Sequence, residues 1–181
     1  MKTALTRLGL QRPSLLEGVH WLAQRFFKQA GYEWELRRTG ELKIGLWRKS
    51  LRPRLSIGSK RLRNSSTHTR RLVLVPGFGD TPLSWLGVLT MLSPVLGKHF
   101  DEVVLLDFPG FSGFLAQERS FHSMDLMMNA VDDVFDSLSP DTILGHSLGG
   151  WLTAKYAARC GRGERPSVQK RHGYRGPRAV I

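Results

Sequence analysis

The serine with the clearest chemical context is Ser147, in the pentapeptide Gly145-His146-Ser147-Leu148-Gly149. The residues from Asp141 to the motif form a short apolar run typical of a strand, and those from Trp151 onward have a helical pattern. A sharp strand-to-helix turn lifts a serine hydroxyl above the sheet, where it can act as a nucleophile. Glycines at both ends fit such a turn, because a Cβ there would crowd the neighbouring strand or helix. The alternative is a glycine-rich helix N-terminus with a capping serine.

Two more strand and helix pairs precede this motif. An apolar strand beginning at Arg71 runs into the loop Pro76-Gly77-Phe78-Gly79, and a helix is predicted from about Pro82 to Leu96. A second apolar strand, Glu102 to Asp107, is followed by a helix predicted over about 120–137. Strand and helix therefore alternate three times, which predicts an α/β fold with a mostly parallel sheet and flanking helices.

From Arg71 to about Cys160 the chain resembles the α/β-hydrolase family, through the order of the loop after the first strand, the Asp107-Phe108-Pro109-Gly110-Phe111 stretch and the pentapeptide. The resemblance implies that Ser147 attacks an acyl carbonyl and that the backbone N–H groups of Phe78 and Leu148 hold the oxyanion. Relatives usually have His-Gly where this chain has Pro76-Gly77. The implied substrates are esters, thioesters or similar small acyl compounds.

In that family a catalytic acid and then a histidine follow the serine on later loops. Reaching them takes on the order of 90 residues, at roughly 30 for each strand and helix unit, whereas 34 residues follow Ser147. The one histidine after Ser147 is His172, which lies in a Gly-, Pro- and Arg-rich tail. Asp107, which follows the second core strand, is not assigned as the catalytic acid. We therefore expect a hydrolase truncated after the nucleophile helix. The alternative is a catalytically inert remnant or binding module.

Charge divides the chain into three parts. Residues 1–71 carry 17 Lys and Arg against 4 Asp and Glu, residues 72–160 carry 4 against 10, and residues 161–181 carry 6 against 1. The hydrolase-like core is therefore acidic, and the basic residues belong to its flanks. They are scattered, without an RNA-binding signature or zinc-ligand spacing, so we expect no specific nucleic-acid partner.

The segment before the core divides further. Residues 1–31 predict an amphipathic helix that opens at Ser14, residues 32–48 predict a β-hairpin around Thr39-Gly40, and residues 49–70 predict a basic exposed linker. The helix carries an apolar stripe of seven residues: Leu15, Leu16, Val19, Leu22, Ala23, Phe26 and Phe27. Core packing is the favoured interpretation of this stripe, and weak contact with a membrane surface is the alternative.

The remaining expectations concern the C-terminal tail and the features that the chain lacks. The core is predicted to span 71–160, and the tail, 161–181, is predicted to be disordered and without a strand. A sheet of five strands would leave an exposed edge through which the chain could self-associate. No metal or organic cofactor is indicated, no run of 18 apolar residues is present, and the cytoplasm is the default compartment. The single cysteine, Cys160, excludes an internal disulfide.

Overall fold

The computed structural model describes residues 15–52, 68–109, 123–164, 177 and 179–180, with the backbone alone at 15–20 and 179–180. Within these residues the chain forms four α-helices and six strands, in the order α1 (Leu15–Gln29), β1 (Glu33–Thr39), β2 (Leu42–Ser50), β3 (Arg71–Val75), α2 (Leu86–His99), β4 (Glu102–Asp107), α3 (Met124–Leu138), β5 (Thr142–Gly145), α4 (Leu148–Gly161) and β6 (Ala179–Val180). A short 3-10 turn, Pro82–Trp85, leads into α2.

The six strands form one mixed sheet in the order β1-β2-β4-β3-β5-β6. β1 and β2 form an antiparallel hairpin with its turn at Gly40, whose φ of 58° suits glycine. β2 also runs antiparallel to β4, whereas β4, β3, β5 and β6 are mutually parallel. The prediction of a mostly parallel sheet with flanking helices is therefore confirmed.

Apolar side chains cover both faces of this sheet. On one face α3 and α4 pack over the strands, with Phe135 and Tyr156 in edge contact at a ring separation of 4.9 Å. On the other face α1 and α2 pack over the same strands, and Trp85 and Leu89 are buried there. Continuous apolar runs at β3 and β4 follow from this arrangement, because both sides of a central strand are buried.

Helix α1 is held to the sheet by aromatic contacts. Phe27 is fully buried, stacks on Trp47 of β2 with ring centroids 5.1 Å apart, and meets Tyr32 edge-on at 5.3 Å. Ala23 is buried beside it, but Leu22 and Phe26 are exposed. Core packing therefore accounts for part of the predicted stripe and is wrong for those two residues, since the sheet covers only one side of the helix.

The C-terminal segment also differs from expectation. We predicted no strand after Gly161, but the structure places the two-residue strand β6 beside β5, pairing Thr142 with Ala179 and Ile143 with Val180. The expected five-stranded sheet is therefore wrong, and β5 is not an edge strand over that pair. The predicted helix start at Ser14, most of the linker 49–70 and most of the tail 161–181 lie outside the described residues.

Asp101, in the turn before β4, ties three segments together at the amino-terminal edge of the parallel strands. Its carboxylate accepts hydrogen bonds from the Arg52 guanidinium at 2.9 Å, and from the backbone N–H of Arg70 at 2.9 Å. The Arg70 guanidinium adds a further contact at 3.1 Å. The bond from Arg52, followed by those from Arg70, holds the pKa of Asp101 well below its usual range.

Candidate active site

The pentapeptide lies between a strand and a helix in the structure. β5 ends at Gly145, α4 begins at Leu148, and Ser147 between them has φ 53° and ψ −117°. Positive φ is uncommon for a residue with a side chain and costs free energy. This backbone conformation is the one expected of a serine held on a sharp strand-to-helix turn. The Ser147 side chain is exposed at the carboxyl edge of the sheet.

The turn is tight enough to require glycine on both sides of Ser147. A Cβ built on Gly145 would lie 2.6 Å from the carbonyl carbon and oxygen of Gly149. A Cβ built on Gly149 would lie 2.4 Å from the carbonyl oxygen of Val75 and 2.5 Å from that of Pro76. Because the obstructing atoms belong to the backbone, a side chain at either position would push α4 away from the sheet.

We call the strand-to-helix turn from Gly145 to Gly149 the elbow. The loop after β3 lies beside the elbow because β3 and β5 are parallel neighbours. Val75, the last residue of β3, pairs in register with Gly145, and its carbonyl oxygen accepts a hydrogen bond from the His146 N–H at 3.1 Å. Phe78 follows in this loop, and Leu148 is the first residue of α4. The first N–H groups of a helix have no acceptor within it and point outward. The elements that carry the two predicted oxyanion donors, Phe78 and Leu148, therefore meet at this edge.

A cavity of about 400 Å³ opens next to the elbow. Its apolar wall consists of Trp85, Val88 and Leu144, which come from the 3-10 turn, α2 and β5. Its polar wall consists of Asp80, Ser84 and His146. A largely apolar concavity with a few polar groups is the usual form of a small-molecule site. The sequence did not reveal this cavity, since its walls come from two stretches that are far apart in the chain, 80–88 and 144–146.

An acidic and a basic side chain face each other at the mouth of this cavity. His146 Nδ1 lies 3.9 Å from the Asp80 carboxylate, and His146 is mostly exposed. A Cβ built on Gly77 would lie 2.9 Å from His146 Nδ1 and 3.3 Å from Ser147 Cβ, so the loop touches both residues. Sequence reasoning missed this pair. The available signal was the position of Asp80, directly after the glycine-rich loop.

Histidine side chains are described at positions 68, 99 and 146, and none has a hydrogen bond to Ser147. His68 lies at the opposite edge of the sheet, where its Nε2 is 2.9 Å from the Asp141 carboxylate. His99 ends α2. His172, together with the side chains of His20 and His122, lies outside the described residues. Within the described part of the chain, the candidate nucleophile Ser147 therefore lies beside the elements that carry the two predicted oxyanion donors, and no described histidine is hydrogen-bonded to it.

Asp107 lies at the end of β4 and is fully buried. The strand order β4-β3-β5 separates it from the elbow by one intervening strand. Neighbouring strands are about 4.8 Å apart, so Asp107 is roughly 10 Å across the sheet from Ser147. The interpretation that Asp107 is not the catalytic acid stays a prediction, because an acid of this kind contacts the histidine and not the serine.

The described helices are all too short or too polar to cross a membrane. No cluster of three or more His, Cys, Asp or Glu side chains suited to a metal ion is found among the described residues.

The sequence of the core matches the model of a known protein family. A family model described as "Alpha/beta hydrolase family" matches residues 72–176, more than half of the chain. The match begins at the second residue of β3 and includes β4, β5, α4 and the pentapeptide. A comparison with curated protein sequences found no match.

Two solved structures share the fold at low sequence identity, and a third gives a weaker superposition. A soluble variant of monoglyceride lipase from Saccharomyces cerevisiae superposes with a TM-score of 0.51 at 18% identity, over 76% of this chain and 41% of that one. A protein of Acinetobacter baumannii AYE assigned as a lipase gives 0.50 at 22%, over 75% and 41%. The thioesterase domain from the curacin biosynthetic pathway gives 0.44 at 22%, over 71% and 40%. The chain spans about two fifths of the length of these structures.

Proposed function

Because the chain belongs to the alpha/beta hydrolase family, we propose that it provides the nucleophile half of a serine hydrolase acting on small acyl esters or thioesters. Ser147 is the nucleophile. The backbone N–H groups of Phe78 and Leu148 form the oxyanion hole. Gly145 and Gly149 allow the close turn that presents the serine.

In the proposed reaction a base takes the proton from Ser147 Oγ while the oxygen attacks the acyl carbonyl carbon. The carbonyl oxygen becomes an oxyanion stabilised by the two N–H donors. Collapse of this intermediate expels the alcohol or thiol, which takes a proton, and leaves an acyl-serine. Water then attacks the acyl-serine, releases the carboxylic acid and restores the hydroxyl.

The observation that carries this proposal is the backbone of Ser147. Among the described non-glycine residues, positive φ occurs at Ser139 and Ser147. Ser139 ends α3 in the left-handed region, a common way for a helix to stop. Ser147 instead precedes a helix, with ψ −117°, and the structure retains this unfavourable conformation beside a cavity. Strain kept at an exposed serine supports a nucleophile more than a cap, which normally has an extended backbone.

The cavity supports an acyl substrate. Trp85, Val88 and Leu144 give it an apolar wall close to the elbow, which suits the hydrocarbon part of an ester or thioester. We propose that this wall contacts the acyl chain. Asp80 and His146, at the polar side, then lie nearer the leaving group.

A second candidate function is a binding module that keeps the cavity without turnover. It is favoured by the described histidines, none of which has a hydrogen bond to Ser147. Serine is a weak nucleophile without a base, and loss of one triad member leaves only about 10³- to 10⁴-fold catalysis over water. Under the first proposal the base comes from residues outside the described part of the chain. Under the second there is no base.

A fluorophosphonate probe separates the two functions, because it reacts rapidly only with an activated serine. The purified chain is incubated with the probe, and the labelled peptide is identified by mass spectrometry. The hydrolase proposal predicts labelling at Ser147 that Ser147→Ala abolishes. Ser137→Ala is the matched control: Ser137 lies on α3, donates a hydrogen bond to Val134 at 2.8 Å, and its loss leaves labelling unchanged.

A folded chain that binds acyl compounds but takes no label at Ser147 would favour the binding module. Labelling of another serine, with Ser147 unmodified, would contradict the assignment of the nucleophile.

A further inference from the structure

Helix α1 exposes large apolar side chains on the side that faces away from the sheet. Trp21 is 58% exposed, Leu22 60% and Phe26 49%. Leu22 and Phe26 are one turn apart and Trp21 is adjacent, so the three form one continuous surface. We call these residues, together with Arg25 between them, the outer face of α1. Packing in the core does not explain why the outer face is apolar, because α1 contacts the core through the opposite side of the helix.

The outer face is held in a fixed orientation. Phe27, on the opposite side of the helix, is fully buried and stacks on Trp47 at 5.1 Å. Ala23 is buried one turn earlier. With these two positions against the sheet, the helix presents the outer face away from the protein.

Positive charge accompanies the apolar surface. The Arg25 guanidinium lies over the Trp21 ring at 5.5 Å, and Lys28 is exposed in the next turn. Residues 21–32 contain no Asp or Glu. The surrounding segment, 1–71, carries 17 Lys and Arg against 4 Asp and Glu. The outer face is thus complementary to a surface that combines apolar material with negative charge.

We propose that the outer face of α1 docks onto an anionic lipid surface. Trp21, Leu22 and Phe26 enter the boundary between headgroups and acyl chains, the depth that such helices reach when they lie in the plane of a membrane. Arg25 and Lys28 extend their aliphatic stems along this boundary and place their charges at the lipid phosphates. Three apolar side chains and two charges give weak, reversible attachment.

Attachment to lipid is independent of the chemistry at Ser147. If the proposed function holds, attachment would place the hydrolase at the lipid interface, where apolar acyl substrates accumulate. Vesicle binding tests the docking surface and probe labelling tests the nucleophile, so the failure of one leaves the other standing.

The experiment is sedimentation of the full chain with phosphatidylcholine vesicles, with and without phosphatidylserine. The wild-type chain is expected to sediment with the phosphatidylserine vesicles and much less with phosphatidylcholine alone. Raising the salt concentration should weaken this binding, because the charge interactions are screened.

Two sets of variants separate the contributions. Combined replacement of Trp21, Leu22 and Phe26 by Ala should lower the partition coefficient by at least about tenfold, since apolar burial is lost. Arg25→Gln and Lys28→Gln should each lower it about fivefold on the anionic vesicles alone. The matched control is Trp151→Ala. Trp151 is also an exposed tryptophan on a helix with a cation, Lys155, over its ring at 5.5 Å, and its loss should not change binding.

Unchanged melting temperatures would show that the exposed positions can be altered without unfolding the chain. No binding of the wild type to phosphatidylserine vesicles would overturn the proposal, as would equal binding by the triple variant. A dimer in size-exclusion chromatography that the triple variant dissociates, without vesicle binding, would show that a second copy of the chain covers this face.

Discussion

Substitution of Gly149 by Ala tests the close approach of α4 to β3, on which the geometry of Ser147 depends. The added Cβ would lie 2.4 Å from the Val75 carbonyl oxygen, whereas ordinary carbon to oxygen contacts begin at about 3.3 Å. The helix must therefore move by about 0.9 Å, or the strand must bend. Overpacking of this kind costs about 1–3 kcal/mol. We expect a cost at the upper end, about 3 kcal/mol, because the obstructing atoms are backbone. The greater helix preference of Ala over Gly offsets up to about 1 kcal/mol of this cost.

The net prediction is a loss of about 2 kcal/mol in the free energy of unfolding. Urea denaturation followed by far-UV circular dichroism measures it. Gly161→Ala is the control, because it lies in the same helix with no atom within 4 Å of the added Cβ, and should be neutral or slightly stabilising. Equal denaturation midpoints for the two variants would refute the tight contact between α4 and the end of β3.

Two further predictions concern the scaffold. Phe27→Ala leaves a cavity against Trp47 and should lower the free energy of unfolding by about 3–5 kcal/mol; a loss below about 1 kcal/mol in urea denaturation would contradict the packing of α1. Asp101 has a lowered pKa in the folded chain, so its contribution to stability is present above its unfolded pKa of about 3.9 and is lost as the pH falls through the folded value. Asp101→Asn, which weakens the bonds from Arg52 and Arg70, should reduce stability at neutral pH and flatten the acid limb of the stability curve; an unchanged curve between neutral and acid pH would contradict this role.

The strands and helices of the core could be predicted because their signals are local. β3 and β4 are continuous apolar runs, and the structure starts and ends β4 at Glu102 and Asp107, as the sequence indicated. The helix predicted from Pro82 begins instead as a 3-10 turn, with Thr81 accepting a hydrogen bond from the Leu83 N–H at 3.2 Å. Periodicity alone does not distinguish this turn from the first turn of an α-helix.

Features that depend on distant residues could not be predicted. Leu22 and Phe26 have the same spacing as buried helix residues, and only the extent of the sheet decides that they remain outside. β6 has two residues, and it exists through pairing with β5, which precedes it by more than 30 residues. A strand of this length carries no pattern of its own. The predicted division into 1–31, 32–48, 49–70, 71–160 and 161–181 stays a prediction at its boundaries.

The candidate site was predictable where the backbone dictates residue type. Only glycine fits at positions 145 and 149, because an added Cβ would lie 2.4–2.6 Å from neighbouring backbone atoms. The 3.9 Å approach of Asp80 to His146 was not predictable, because it depends on how the loop after β3 folds over the end of β5.

The role of Ser147 as an activated nucleophile is tested most directly by reaction of the full chain with a fluorophosphonate probe, read by mass spectrometry in the wild type and in Ser147→Ala. We expect a stoichiometric label on Ser147 in the wild type and no label in the variant. A folded wild-type chain that remains unlabelled at Ser147 would contradict the assignment of this residue as an activated nucleophile.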